Sequence, residues 1–198
     1  ASATGERAPL RLVVGGVSRE GLRARLEERD IQLNDSARTL LEDPCFDTRA
    51  PETLEVVQRS LQQLGLASGG TLPQITAAAR AQGLAPLPPD AGPYLRLAIT
   101  DQGQAPDSIL SAGRAPTGAV HVHSVPLRAD HDYPKGFYLR VVDGVTWLRG
   151  FRCDDEYVWP ADAVLALRAP RGEGSPRHLT ARRCLSAART AASGRAAV

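Results

Sequence analysis

GFYLRVVDGVTWLRGFR, residues 136–152, reads as a β-hairpin around which the later half of the chain is organised. Asp143-Gly144 lies between two runs rich in β-branched and aromatic residues. A type I′ turn needs φ > 0 at both central residues, and Asp-Gly adopts it readily. A two-residue turn also fixes the register. Val142 faces Val145, Val141 faces Thr146, Arg140 faces Trp147, Leu139 faces Leu148, and Tyr138 faces Arg149. Side chains alternate across a strand, so Phe137, Leu139, Val141 and Leu148 fall on a core face. Tyr138, Arg140, Trp147, Arg149 and Phe151 fall on the other. Arginines interleaved with aromatic rings suit a flat or anionic ligand. The same residues also read as a solvated face of cross-strand Arg–aromatic pairs, each contributing roughly 0.2–1 kcal/mol.

The alternation extends outward from the hairpin. YLRLAIT, residues 94–100, predicts a strand with Leu95, Leu97 and Ile99 inward and Tyr94 and Arg96 outward. AVHVHSV, residues 119–125, puts Val120 and Val122 on one face and His121 and His123 on the other. A last strand follows over 163–168. Together these place Tyr94, Arg96, His121, His123, Tyr138, Arg140, Trp147 and Arg149 on one non-core face. That pattern predicts a shallow site for a small anionic or planar ligand, or for a protein partner.

The same segment supports a second chemistry. His-x-His on a strand sets His121 and His123 on one side, and Asp130 and Asp132 flank His131 in the next loop. Two imidazoles and a carboxylate are the ligand set of a divalent metal site with an open position, the arrangement of a metal-dependent hydrolase. The plainer reading is two exposed strand histidines beside an acidic loop. A third reading is single-stranded nucleic acid stacked on Tyr138 and Trp147, but a net charge of +2 over 198 residues argues against nucleic acid.

The N-terminal half carries helix signals. LRLVV, 10–14, suits a short strand, and Ser18 is a good N-cap for a helix over 19–30. Asn34 or Asp35 suits the start of a second helix that must stop before Pro44. Residues 53–59 read as a strand. Thr71 with Gln74 has capping-box spacing for a helix over 72–82, with Gly83 past its end. The proline-rich run 86–93 marks a boundary, and 101–117 reads as a long loop.

Composition bounds the rest. The length suits one domain, and no apolar run approaches the ~20 residues of a membrane helix. Cys45, Cys153 and Cys184 show no CxxC spacing, so a cysteine zinc site is disfavoured. There is no GxSxG, Walker or dinucleotide glycine pattern, and Asp154 and Asp155 raise the pKa of Cys153. The cations are nearly all Arg, with Lys135 the only lysine. The opening ASATGERAPL, without Met, fits a processed or recombinant start, and a cytoplasmic location is preferred.

Longer stretches carry a resemblance. GGVSREGLRARLEERDIQLNDSARTLLEDPCF, TLEVVQRSLQQLGLASGGTLPQITAAARAQGL, GPYLRLAITDQ, DYPKGFYLRVVDGVTWLRGF and VWPADAVLAL resemble a family of small bacterial proteins without an established activity. Some members carry an automatic helicase label, which no motif here supports. The resemblance spans about 12–168 and implies that the remaining tail is an extension peculiar to this chain. Family members have Cys-Pro where this chain has Pro86-Leu87-Pro88, and lack histidines at the positions of His121 and His123.

The predicted fold is α+β. A flexible 1–9 precedes a mainly helical 10–88, which packs on an antiparallel sheet of four to five strands in 89–168. An Arg/Ala-rich extension occupies 169–198. The predicted function is a non-enzymatic binding or accessory module.

Overall fold

The computed structural model describes residues 8–102 and 118–170. The readings made of the N-terminus, of the loop over 103–117 and of the chain from 171 onward, Cys184 included, lie outside the described residues. Among those residues no helix is long and apolar enough to cross a membrane.

The hairpin is as predicted. β5 (Gly136–Val142) and β6 (Val145–Phe151) pair in the register that the Asp-Gly turn dictates. Asp143 and Gly144 both take positive φ, at 50° and 76°.

The sheet around the hairpin is larger than predicted, and mixed. It has seven strands, adding β1 (Leu10–Val14), β2 (Gln32–Leu33), β3 (Glu52–Ser60), β4 (Val120–Val122) and β7 (Val164–Arg168). Their order is β1-β3-β7-β4-β5-β6-β2. β4 runs parallel to β7 and β2 parallel to β6, so the expected all-antiparallel sheet of four to five strands is corrected. The N-terminal half, besides its helices, supplies β1, β2 and β3 to this sheet. The β-branched LRLVV and TLEVV runs pair with each other, and β3 then pairs with β7.

β2 has two residues, and a side chain continues its ladder. Asn34 donates from Nδ2 to the Gly150 carbonyl at 3.0 Å and accepts the Gly150 N–H on Oδ1 at 2.8 Å. The amide thus stands in for a peptide group. The same Oδ1 accepts Ala37 N–H at 2.9 Å and so caps α2 (Asp35–Leu40).

The second correction concerns residues 94–100. They do not form a strand: α5 spans Ala91–Ala98. Ala91, Tyr94, Leu95 and Ala98 follow the i, i+3, i+4, i+7 spacing of a helix face, which fits the segment as well as alternation does. Pro93 is tolerated because the first-turn N–H groups have no helical partner. Gly92 lets the helix lie directly on β5, where a Cβ would sit 2.5 Å from the Phe137 ring.

The sheet divides two cores. Against one face pack α1 (Arg19–Glu28, capped by Ser18), α2 and α5, with α3 (Cys45–Thr48) contributing Phe46. This core takes Leu54, Val56, Val120, Phe137, Leu139 and Leu148 from the strands. Against the other face packs α4 (Leu72–Ala81), where Gln74 Oε1 accepts the Thr71 N–H at 2.9 Å as the capping box predicts. Its core joins Ile75 and Ala79 to Val57, Leu165, Leu167 and Trp159.

Candidate functional site

The predicted non-core face divides. Tyr94 and Arg96 leave it altogether, because they belong to α5 on the opposite side of the sheet. Both are fixed in place there. Tyr94 donates to the Val17 carbonyl at 3.4 Å. Arg96 donates to the Ile99 carbonyl and to Gln102 Oε1, each at 2.6 Å, tying down the end of α5. Burial lowers its pKa to about 10.

Tyr138, Arg140, Trp147 and Arg149 do share the second face. Arg149 lies over the Trp147 ring at 5.0 Å and over Tyr138 at 6.0 Å, so its cation is already engaged within the hairpin. Arg140 is buried. Tyr138 continues the row of rings toward β4, stacking on His121 at 5.2 Å. Phe151 and Trp159 meet His121 edge-on at 5.4 and 4.6 Å. The expected patch is thus one end of an aromatic cluster centred on a histidine.

His121 and His123 are buried, not the exposed strand histidines of the plainer reading. Their environments fix their protonation. Burial pushes His121 down to about 3 and His123 to about 4, so both are neutral imidazoles near neutral pH. His121 donates one ring N–H to the Val164 carbonyl, which leaves its Nδ1 as an acceptor. Thr76 gives its hydroxyl proton to the Leu72 carbonyl at 2.9 Å. Its oxygen therefore accepts from His123 Nε2 at 3.1 Å.

Asp130 and Asp132 stand apart from the imidazoles in character. Both are exposed, and Asp130 Oδ1 accepts the Asp132 N–H at 3.0 Å in a local turn. Among the described residues no group of three His, Cys, Asp or Glu side chains is placed to hold a metal ion. Among the described residues, burial, ahead of nearby carboxylates, pushes the thiol of Cys45 up to about 12 and that of Cys153 to about 11, which disfavours the thiolate.

What the second face does form is a cavity of about 310 Å³ between α4 and β4. Thr76 and Leu72 line it from α4, His121 and His123 from β4, and Phe151 from the end of β6. Trp159 and Lys135 complete it from the loops. Trp159 is held by paired backbone bonds to Gly70, N–H to carbonyl at 2.8 Å and carbonyl to N–H at 3.0 Å. That close approach requires Gly69, where φ is +83° and a Cβ would lie 2.2 Å from the Trp159 carbonyl oxygen. Lys135 is anchored through its N–H to the Phe151 carbonyl at 2.8 Å. Exposed Arg80 and Asp155 stand at its rim.

Sequence reasoning found the histidines but not Thr76, Lys135 or Trp159. Lys135 did carry a signal, as the one lysine of an arginine-rich chain. Thr76 and Trp159 carried none, because only tertiary packing brings α4 and the 152–163 loop over β4. Fold and site together define an α+β chain with a concave, mainly apolar recess on a mixed sheet. No protein-family model, curated protein or solved structure matches the chain.

Proposed function

We propose that this chain is a small-molecule-binding module whose ligand occupies the cavity between α4 and β4. The observation that carries this reading is the convergence of a few polar side chains on one concave, largely apolar recess, the ordinary make-up of a ligand site. A cavity of about 310 Å³ is at the small end for such sites, which favours a molecule of one or two rings. The ring cluster of His121, Phe151 and Trp159 favours a planar one. Two neutral imidazoles in the cavity wall favour binding over proton transfer near neutral pH.

The test is a saturation-transfer NMR screen of one- and two-ring aromatic fragments against the native chain and Val125→Trp. Val125 lines the cavity and is 58% exposed, so a larger ring there narrows the mouth without entering the core. Fragments are expected to bind the native chain and to lose most of their signal with the variant. Equal signals from both proteins would place binding elsewhere and remove the reading.

A further inference from the structure

The two borders of the sheet are built differently. At one, β2 has only two residues. At the other, β1 is a five-residue strand held on one side by β3. Among the described residues no strand or bridge occupies its other side. We propose that this free side of β1 pairs antiparallel with β1 of a second copy of the chain, about a two-fold axis at Leu12. The pairing goes beyond the ligand reading and does not depend on the cavity.

Proteins that stay monomeric blunt their border strands with proline, lysine, bulges or inward charges. β1 carries little of this. LRLVV contains no proline, and its register against β3 runs through all five residues without a bulge. Arg11 is its only charge, and that charge is offset by Glu55, its register partner on β3, at 4.0 Å. Leu12 and Val14 are buried in the first core, so alternation turns Val13 to the opposite side of the sheet. There it is 56% exposed. A β-branched apolar side chain open to water on a border strand is a surface that a further strand covers.

The register points to the occupant. An identical strand brought up antiparallel forms an isologous pair that closes at two copies. Centring on Leu12 uses all five residues, with Leu10 opposite the partner's Val14 and Arg11 opposite the partner's Val13. Centring on Arg11 sets two arginines opposite each other, which is unfavourable. Centring on Val13 puts Arg11 opposite the partner's Gly15, which at φ +96° has already left the strand. Leu12 is thus the centre that keeps the whole strand and opposes no like charges. Five residue pairs make a small contact, so the dimer is weak, with a Kd on the order of tens of micromolar.

Sedimentation velocity from about 5 to 500 µM tests this with two variants of one exposed residue. The native chain is expected to pass from monomer to dimer and no further. Val13→Lys sets a lysine opposite the partner's Arg11 and should weaken association about tenfold or more. Val13→Glu gains two cross-strand pairs with Arg11 and should stay within about threefold of the native chain. Urea unfolding where all three are monomeric should be alike, which shows that both variants fold. A native chain that stays monomeric throughout overturns the inference. A dimer indifferent to both variants overturns it by placing the interface elsewhere. A dimer weakened equally by both removes the Leu12 register. A monomer whose unfolding both variants weaken overturns it too, and assigns the free side of β1 to a segment of the same chain.

Discussion

The two faces of the sheet both bury cationic side chains, yet they treat them differently. On the face covered by α1, α2 and α5, Arg96 is 2% exposed and its terminal nitrogens are taken up by the Ile99 carbonyl and Gln102. Asp90, at the start of α5, is 3.5 Å from Arg49. Arg49 in turn reaches Glu52 at 2.6 Å, and Arg168 reaches the same carboxylate at 2.9 Å. On the face covered by α4, Lys135 is 7% exposed and makes no ion pair with a carboxylate among the described residues, whereas on the first face each charged group has an ionic or carbonyl partner even where single atoms, such as Arg96 Nε, make no hydrogen bond. A buried charge that finds partners within the chain is accounted for by the fold. One that does not leaves room for a counter-charge from outside the chain.

The largest effect should come from cutting the first core. Phe137 is fully buried beneath Gly92 and packs edge-on against Phe46 at 6.3 Å. Phe137→Ala is expected to cost about 3–5 kcal/mol in urea unfolding. A loss below about 1 kcal/mol would mean that α5 does not depend on this contact, and the contrast between a closed and an open face would weaken.

Acid sharpens the comparison from the other side. His121 has a folded pKa of about 3 and His123 of about 4, both below the ordinary 6.5 because burial disfavours the imidazolium. The unfolded chain therefore takes up protons first as pH falls. The stability these neutral rings contribute is whole above about pH 6.5 and is lost on the way down toward pH 3–4. The loss approaches about 1.4 kcal/mol per pH unit for each ring. Thermal melts of native chain and His121→Phe between pH 7.5 and 4.5 should show the variant with the shallower decline. Parallel curves would mean that His121 is hydrated and that the second face is more open than described.

The smallest effects test the contrast most directly, because one kind of substitution should have opposite signs on the two faces. Arg96→Met leaves the Ile99 carbonyl and Gln102 without their donor and should destabilise by about 1–3 kcal/mol. Lys135→Met removes a cation with no partner and should be neutral or stabilise by about 1–2 kcal/mol in the absence of ligand. Paired denaturation curves decide it. If both variants lose stability alike, Lys135 is held by the fold, and the distinction between the faces disappears.

The hairpin was legible because its turn chemistry is local: Asp143-Gly144 sets the twist, the twist sets the register, and the register sorts every side chain from Phe137 to Phe151. The caps at Ser18, Asn34 and Thr71 were legible for the same reason. The α5 segment was not, since Leu95 and Leu97 satisfy a period of two while Ala91, Tyr94, Leu95 and Ala98 satisfy a helix. Only the place beside Phe137 that a glycine can occupy selects the helix. The parallel pairs β4–β7 and β2–β6 join segments far apart in sequence, and no local signal announces them. Half of the site was readable for a related reason. His121, His123 and Tyr138 follow from alternation near the hairpin, whereas Thr76, Lys135 and Trp159 are brought in by packing.

Asn34 has one further consequence. A sheet's outer strand presents unpaired N–H and carbonyl groups that recruit neighbouring molecules. Here the flank beyond β6 receives a strand of two residues, a side-chain amide at Gly150, and then a helix turning away at once. A second chain arriving at that border meets no long straight ladder to extend. The asparagine thus ends the ladder at that border, and it does so with the same oxygen that starts α2.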